Sequence, residues 1–366
     1  MDKMPKWADV VLIPLLSLLL AAFISGLVIA AIGHNPFVAV KIMVQGALGN
    51  TTNLSYTLYY ATNFIFTGLA VAVAYHARLF NIGGEGQAYI GGLGAALAML
   101  YIPWPHWSLA LIGGTLIAGA FGAAWAFLPA FLQAKRGSHI VITTIMFNYL
   151  SYPLLNYLLN GPIKAEGMEP ATPSFAATTH LPNLAEILGF VGIGFSDRGP
   201  ANFALIVALI ACVLVWALIW RTRLGYEIRS FGQSETAAKY AGINATRIIV
   251  IAMLISGALA GMMAVNNVMG EAERLVLNSV EGAGFIGIAV ALMGRNHPTG
   301  ILIAALLFGV LYQGGAELSA ELRIPREMVT VIQALVILFT GALDNMVRMP
   351  LERIFLALRA GKEGAK

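Results

Sequence analysis

"FNIGGEGQAYIGG", residues Phe80–Gly92, is the stretch on which the reading of the chain turns. Gly83, Gly84 and Gly86 surround a carboxylate, Glu85, and a largely apolar run follows at once. Glycine admits backbone conformations that other residues resist, so a helix starts or breaks at Gly83–Gly86. A charge at the centre of a bilayer costs about 2.5–3.5 kcal/mol on insertion scales, so an acid in such a run is a functional candidate. In the first turn of a helix it would meet the positive end of the dipole. Two placements follow. Glu85 caps a helix at the cytoplasmic interface beside Arg78, or a broken helix presents it to a translocation path, as in transporters.

The surrounding chain is built for lipid. Of its 366 residues, 58% are hydrophobic and only 11% charged, with a mean hydropathy of +0.78. Soluble domains carry about a quarter charged residues. Apolar segments at 8–33, 57–76, 84–101, 107–134, 139–160, 201–220, 247–269, 283–294, 299–316 and 328–347 predict an all-α polytopic membrane protein. Segment 283–294 is short for a full crossing, which puts the count at about 9–10 transmembrane helices. The first segment is longer than a signal-peptide core and has no small-residue cleavage site, so it reads as a retained helix. Glu85 is the only acid placed within or at the edge of the hydrocarbon between Asp9 and Asp344.

The net charge of +4 does not point to nucleic acid, because topology accounts for it. Arg78, Lys135, Arg136, Arg221, Arg223, Arg229, Lys239, Arg247, Arg295 and the basic C-terminal tail all fall on one side when the N-terminus is cytoplasmic. The other side keeps only Lys41, Lys164, Arg198, Arg274, Arg323 and Arg326. Inner loops are the ones enriched in Lys and Arg, so both termini are expected inside. Residues 161–200, proline-broken and acidic, form an external loop; residues 221–246, basic, form the largest cytoplasmic one.

Small residues recur at four-residue spacing in Gly114, Ala118 and Gly122, and again in Gly257 and Gly261. Such stripes let helix backbones approach closely within lipid. Phe66–Ala74 reads "FTGLAVAVA" and Phe285–Met293 reads "FIGIAVALM", an echo of the kind that transporter repeats leave.

The cytoplasmic loop holds "SETAAKYAGIN", Ser234–Asn244. Ser234 suits an N-cap, Glu235 and Lys239 complement the dipole, and Gly242 ends the helix. Ala237, Ala238 and Ala241 then offer a face of small side chains that a partner's cleft could seat closely. An ATP site is missing: no GxxxxGK[ST] occurs, and Tyr89 stands where GxGxxG needs glycine. Cys212 is the sole cysteine, and His34, His76, His106, His139, His180 and His297 are scattered. No metal-ligand spacing or nucleophile–base arrangement emerges, so the chain reads as a transport component and not an enzyme.

Taken together, "FNIGGEGQ" (Phe80–Gln87), "RTRLGYEIRSFGQSETAAKYAGI" (Arg221–Ile243) and "IGIAVALMGRNHPTGILIAALLFGVL" (Ile286–Leu311) resemble ABC-transporter permeases of the ribose/simple-sugar branch, nucleoside-type subgroup. The resemblance spans most of the chain and implies one transmembrane permease domain over residues 1–366 in a bacterial cytoplasmic membrane. It also implies import of nucleosides, with ATP and Mg held by a separate ATPase subunit and no cofactor on this chain. The expected partners are that ATPase, a second related permease in a heterodimer and an external substrate-binding lipoprotein. Ser234, Glu235, Ala237, Ala238, Ala241 and Gly242 become the ATPase-docking segment.

Substrate-path candidates come from chemistry. Asn81, Gln87, Asn148, Asn266 and Asn267 offer amides, Tyr89 and Phe147 offer faces, and Glu85 offers charge, which together suit a base and a ribose. One alternative is a permease for ribose or another simple sugar. A second is a gradient-driven carrier that uses Glu85 as its ion site.

Overall fold

The structure, a computed structural model, describes residues 12–339 apart from 191 and 193, together with residue 349. Both termini, Asp9, Asp344 and the far end of the 328–347 segment lie outside the described residues.

Among the described residues the chain is helical, with two isolated antiparallel bridges, Ala171–Val276 and Asn183–Asn202. Its helices are α1 (Ile13–Ala31), α2 (Pro36–Leu48), α3 (Thr51–His76), α4 (Gly84–Tyr101) and α5 (Trp107–Arg136). They continue with α6 (Ile140–Asn160), α7 (Leu184–Gly189), α8 (Ala204–Arg221), α9 (Arg223–Gln233) and α10 (Glu235–Tyr240). Last come α11 (Ala245–Met262), α12 (Ala283–Met293), α13 (Pro298–Leu322) and α14 (Arg326–Ile337).

Among the described residues, each apolar segment expected from the sequence lies mainly on one of these helices. By length and composition, five described helical stretches suffice to cross a membrane, or six if a bent pair counts as one span. The rest of the expected nine to ten are α4, α6, α12 and α14. α12 and α14 are short, while α4 and α6 carry the glycines, amides and hydroxyls from which the site is built. Sequence reading missed α2. After the turn at residues 32–35, the Asn35 side chain caps Phe37 N and Pro36 opens the helix, so α2 leaves α1 at 115°. α13 also runs past the expected 299–316 to Leu322 and takes in Glu317 and Glu321.

The chain divides into two compact units. The smaller holds α1, α2, α14 and the part of α13 from Val310. Its core joins Ile29, Ala39, Ile42, Leu318, Ile324 and Ile332, and the methylenes of Glu317 fill the space beside Gly46.

The larger unit, Asn50–Gly309, carries the site. Its frame is α3, α4, α5, α11 and α12, packed through small residues. A methyl on Gly122 would strike the Gly257 carbonyl and one on Gly261 the Ala118 carbonyl, so the two small-residue stripes are where α5 and α11 meet. Gly91 of α4 likewise lies against the Gly261 backbone. α3 runs the length of the unit, and at 1.5 Å per residue its 26 residues span about 39 Å. α12 follows the second half of α3 in the same direction. Gly287 abuts Thr67, Gly68 abuts Val290, and the His76 ring meets the Asn296 carbonyl at 3.1 Å. The two echoing sequences therefore pack side by side.

Candidate functional site

The segment between α3 and α4 does not stay at the His76 end of the bundle. Leu79, Asn81 and Gly83 are buried, and the chain turns back along α3 before the next helix begins. Asn81 organises the turn. Its Oδ1 accepts from Gly83 N (2.9 Å) and from the Gln87 amide (3.2 Å). Its Nδ2 donates to Gln87 Oε1 (2.9 Å) and Ser256 Oγ (2.8 Å), and Ser256 in turn donates to the Ala70 carbonyl (2.6 Å). Ala70 lies six residues before His76, about 9 Å along the helix axis.

Asn148 on α6 holds the other side of this segment. It accepts from Gly86 N and donates to the Ile82 carbonyl, both at 2.8 Å. Helix N-termini leave backbone N–H groups without intrahelical partners, and here one side-chain amide serves both strands of the turn. Gly86 is required for that approach, because a methyl there would sit 3.0 Å from Asn148 Cα and from the Phe147 carbonyl oxygen. Phe147 itself turns to Trp125, which donates to its carbonyl (3.2 Å) with ring centroids 5.2 Å apart.

Glu85, 8% exposed, caps a helix other than its own. Its two oxygens accept from Gly282 N (3.0 Å) and Gly284 N (2.9 Å), at the N-terminus of α12. Glu85 lies in the first turn of α4, as the dipole reading from sequence has it, and its carboxylate serves the start of a second helix as well. Gly282 has φ +81°, a conformation that costs little only for glycine, and it turns both amides inward. Gly284 has no room for a side chain, because a methyl would run into the Glu85 backbone. Of the alternatives that the sequence left open, Gly83–Gly86 begins α4 and does not break a helix, and the carboxylate of Glu85 is held by the α12 N-terminus and not by Arg78.

One face of this arrangement opens into a cavity of about 640 Å³. Glu85, Tyr89, Asn148, Tyr149, Tyr152 and Phe285 are among the residues that line it. Tyr89 and Tyr152 stand edge to face with centroids 6.3 Å apart, and Tyr149 is 74% exposed at the rim. The site thus combines aromatic walls, an amide and a carboxylate whose oxygens are oriented by backbone amides. Of the residues expected from sequence, Glu85, Tyr89 and Asn148 line this cavity. Asn81 and Gln87 are committed to one another and to Ser256. Sequence reading missed Tyr152, Phe285, Gly282 and Gly284; the glycines ahead of an apolar run in "EGAGF", residues 281–285, were the available signal.

Asn266 and Asn267 belong to a separate polar group, where α11 passes into a π-helical turn, Val265–Glu271. Asn266 donates to the Tyr59 carbonyl and to Asn63 Oδ1 (both 2.9 Å), and accepts from Asn202 Nδ2 (3.1 Å). Asn267 donates to the Ser279 carbonyl. Loop 161–200 closes over this end. Thr172 N bonds the Leu275 carbonyl (3.0 Å), His180 meets Glu273 (3.0 Å), and Glu169 pairs with Arg274 (3.1 Å).

At the opposite end of α3, residues 221–246 form α9 and α10 and not an open loop. Thr222 and Ser234 cap them through Gly225 N (3.0 Å) and Ala237 N (3.3 Å). Glu235 and Lys239 pair at 2.7 Å, and Gly242 ends α10 with φ +81°. One expectation fails. Ala238 is 3% exposed and faces the protein, while Ala237, Tyr240 (95% exposed) and Ala241 face outward. Packing against α9 and α11 claims the position that the small-residue face had assigned to a partner.

The family model described as branched-chain amino acid transport system / permease component matches residues 53–341. The guanosine ABC transporter permease protein NupP of Bacillus subtilis is 33% identical over 93% of this chain and 95% of its own length. The nucleoside ABC transporter permease protein NupB of Lactococcus lactis is 34% identical over 90% of each chain. The glucose ABC transporter permease protein TsgB13 of Haloferax volcanii is 33% identical over 89% of this chain and 86% of its own.

Proposed function

The chain belongs to the family of branched-chain amino acid transport system permease components, and from that premise we propose that it is the membrane subunit of an ATP-driven importer of nucleosides. The reading rests on the cavity beside Glu85. Tyr89, Tyr149, Tyr152 and Phe285 offer apolar and π faces to a base, while Asn148 and Glu85 offer acceptors to N–H and O–H groups. The relatives with nucleoside and guanosine in their names support the same substrate class.

ATP is hydrolysed on a separate subunit that seats on α10, whose outward face is Ala237, Tyr240 and Ala241. The α10 end of the unit and both termini are cytoplasmic, and loop 161–200 lies outside, where a substrate-binding lipoprotein docks. The exposed rim at Tyr149 receives a second, related permease, which completes the path. The membrane is the bacterial inner membrane. A gradient-driven carrier is set aside by the family, and Glu85 has a structural partner in α12 that accounts for its burial.

The test is reconstitution of the chain with an ATPase subunit, a second permease and the binding protein. Uptake of labelled guanosine should require ATP and exceed that of ribose and glucose. Uptake of glucose alone would favour the second reading, which the glucose permease relative supports.

A further inference from the structure

The wall that α6 gives to the Glu85 cavity contains a proline. Pro153 lies inside α6, and Tyr149 and Pro153 both line the cavity. In an α-helix each carbonyl points along the axis to the N–H four residues on, so the Tyr149 carbonyl lies between those two lining residues and points at Pro153. Proline has no N–H to offer it. Among the described residues no side chain takes that place, and the Ser151 hydroxyl on the same helix donates instead to the Asn148 carbonyl at 2.7 Å. At membrane depth an unmatched backbone acceptor is tolerated only where protein or a water-filled cavity satisfies it.

α4 brings a second open group. Tyr89 is 7% exposed and lines the same cavity, yet among the described residues its hydroxyl makes no hydrogen bond. A buried tyrosine normally finds a partner for its O–H. The oxygen is not occluded, unlike the Ser17, Ser25 and Ser279 hydroxyls that also lack partners, and the space that Tyr89 borders is the cavity. The Glu85 oxygens and the Asn148 side-chain amide, by contrast, are already engaged by backbone groups.

We propose that the Tyr149 main-chain carbonyl and the Tyr89 hydroxyl are the contacts through which this cavity reads the polar groups of a nucleoside, an inference that rests on the nucleoside reading of the cavity. The carbonyl only accepts, so it takes an N–H of the base or an O–H of the ribose. The hydroxyl donates to a ring nitrogen or an oxygen of the ligand. Both are in place before the ligand arrives: the helix fixes the carbonyl, and the Tyr89 ring stands edge to face with Tyr152 at 6.3 Å. Pro153 is thereby a positioning residue, which acts by withholding an N–H from its own helix.

Competition against labelled guanosine on the assembled transporter, with no binding protein present so that only the membrane sites are read, tests the assignment. Pro153→Ala returns an N–H to the Tyr149 carbonyl and should weaken guanosine about tenfold. The loss should belong to one donor. Inosine, 1-methylguanosine, 2′-deoxyguanosine and 3′-deoxyguanosine each lack one N–H or O–H donor of guanosine, and one that wild type binds about tenfold more weakly than guanosine should bind Pro153→Ala as well as guanosine does. Tyr89→Phe, which keeps the ring, should remove the penalty of one compound among 3-deazaguanosine, 7-deazaguanosine, 6-thioguanosine and the two deoxyguanosines. Uniform weakening of guanosine and every analogue by either variant would overturn the contact assigned to it, because a change of shape alone spares no ligand. Guanosine binding unaltered in both variants, or wild type binding every analogue as well as guanosine, would overturn the proposal while sustaining the nucleoside reading. No binding of guanosine or any analogue to the wild-type transporter would overturn both.

Discussion

The Glu85 carboxylate meets the Gly284 amide at 2.9 Å, and through that bond the first turn of one helix caps the start of another far away in sequence. Two glycines make the approach. Gly282 supplies the left-handed turn, and Gly284 supplies the space that a side chain would fill.

Glu85→Gln should lower thermal stability in detergent. The amide keeps the shape but offers an N–H to one of the two backbone amides, replacing a charged hydrogen bond worth about 1.5–3 kcal/mol. Uptake per molecule, at matched membrane abundance, should fall as well. Wild-type uptake alongside a lowered melting temperature would restrict Glu85 to holding α12.

Gly284→Ala and Gly282→Ala should differ in severity. At 284 the new methyl meets the Gly84 carbonyl carbon at 2.7 Å, besides the Glu85 backbone. Overpacking of that kind costs about 1–3 kcal/mol and parts the α4–α12 contact. At 282 nothing lies within 4 Å, and the penalty is conformational, about 1–2 kcal/mol. Fluorescence-detected size-exclusion profiles should rank 284 as the worse variant, and the reverse order would contradict the close approach.

Asn148→Ala removes both bonds that tie α6 to the Phe80–Gln87 segment and leaves the Ile82 carbonyl and Gly86 amide unmatched. The loss should be about 1–3 kcal/mol per orphaned group. Asn148→Asp retains the bond from Gly86 and should recover part of it. Thermal shifts of the purified variants check the order wild type, Asp, Ala.

Ala241→Arg and Tyr240→Ala should leave abundance unchanged and reduce ATP-dependent uptake severalfold, because both positions face outward on α10. Ala238→Arg should reduce abundance first, since a buried position beside α9 and α11 has no room for a charged chain. Co-purification of the ATPase subunit with each variant separates lost docking from lost folding; full ATPase recovery with Ala241→Arg and Tyr240→Ala would remove α10 from the interface.

Much of the architecture was legible in one dimension. Apolar run length, the glycine stripes of Gly114–Gly122 and Gly257–Gly261, and the cap, ion pair and glycine stop of Ser234–Gly242 are local signals, and local signals survive in sequence. The helix-forming run after Gly83 belongs to the same class. α2 escaped because thirteen residues are too few to stand out as a span.

The site itself was only half legible, for a physical reason. Residue type marks Glu85 as an acid in oil, but its partner is a backbone amide, and a backbone amide has no letter in the sequence. Asn81 and Gln87 looked available for substrate because their amides carry donors and acceptors; only the fold shows those groups closed on each other. Ala238 looked presentable because it is small, and packing is what turned it inward. The sequence alone determined which long apolar runs are helical. Tertiary structure alone decided which polar groups are already satisfied and which remain open to a ligand, because hydrogen-bond partners in this protein lie as far apart in sequence as Glu85 and Gly284 or His76 and Asn296.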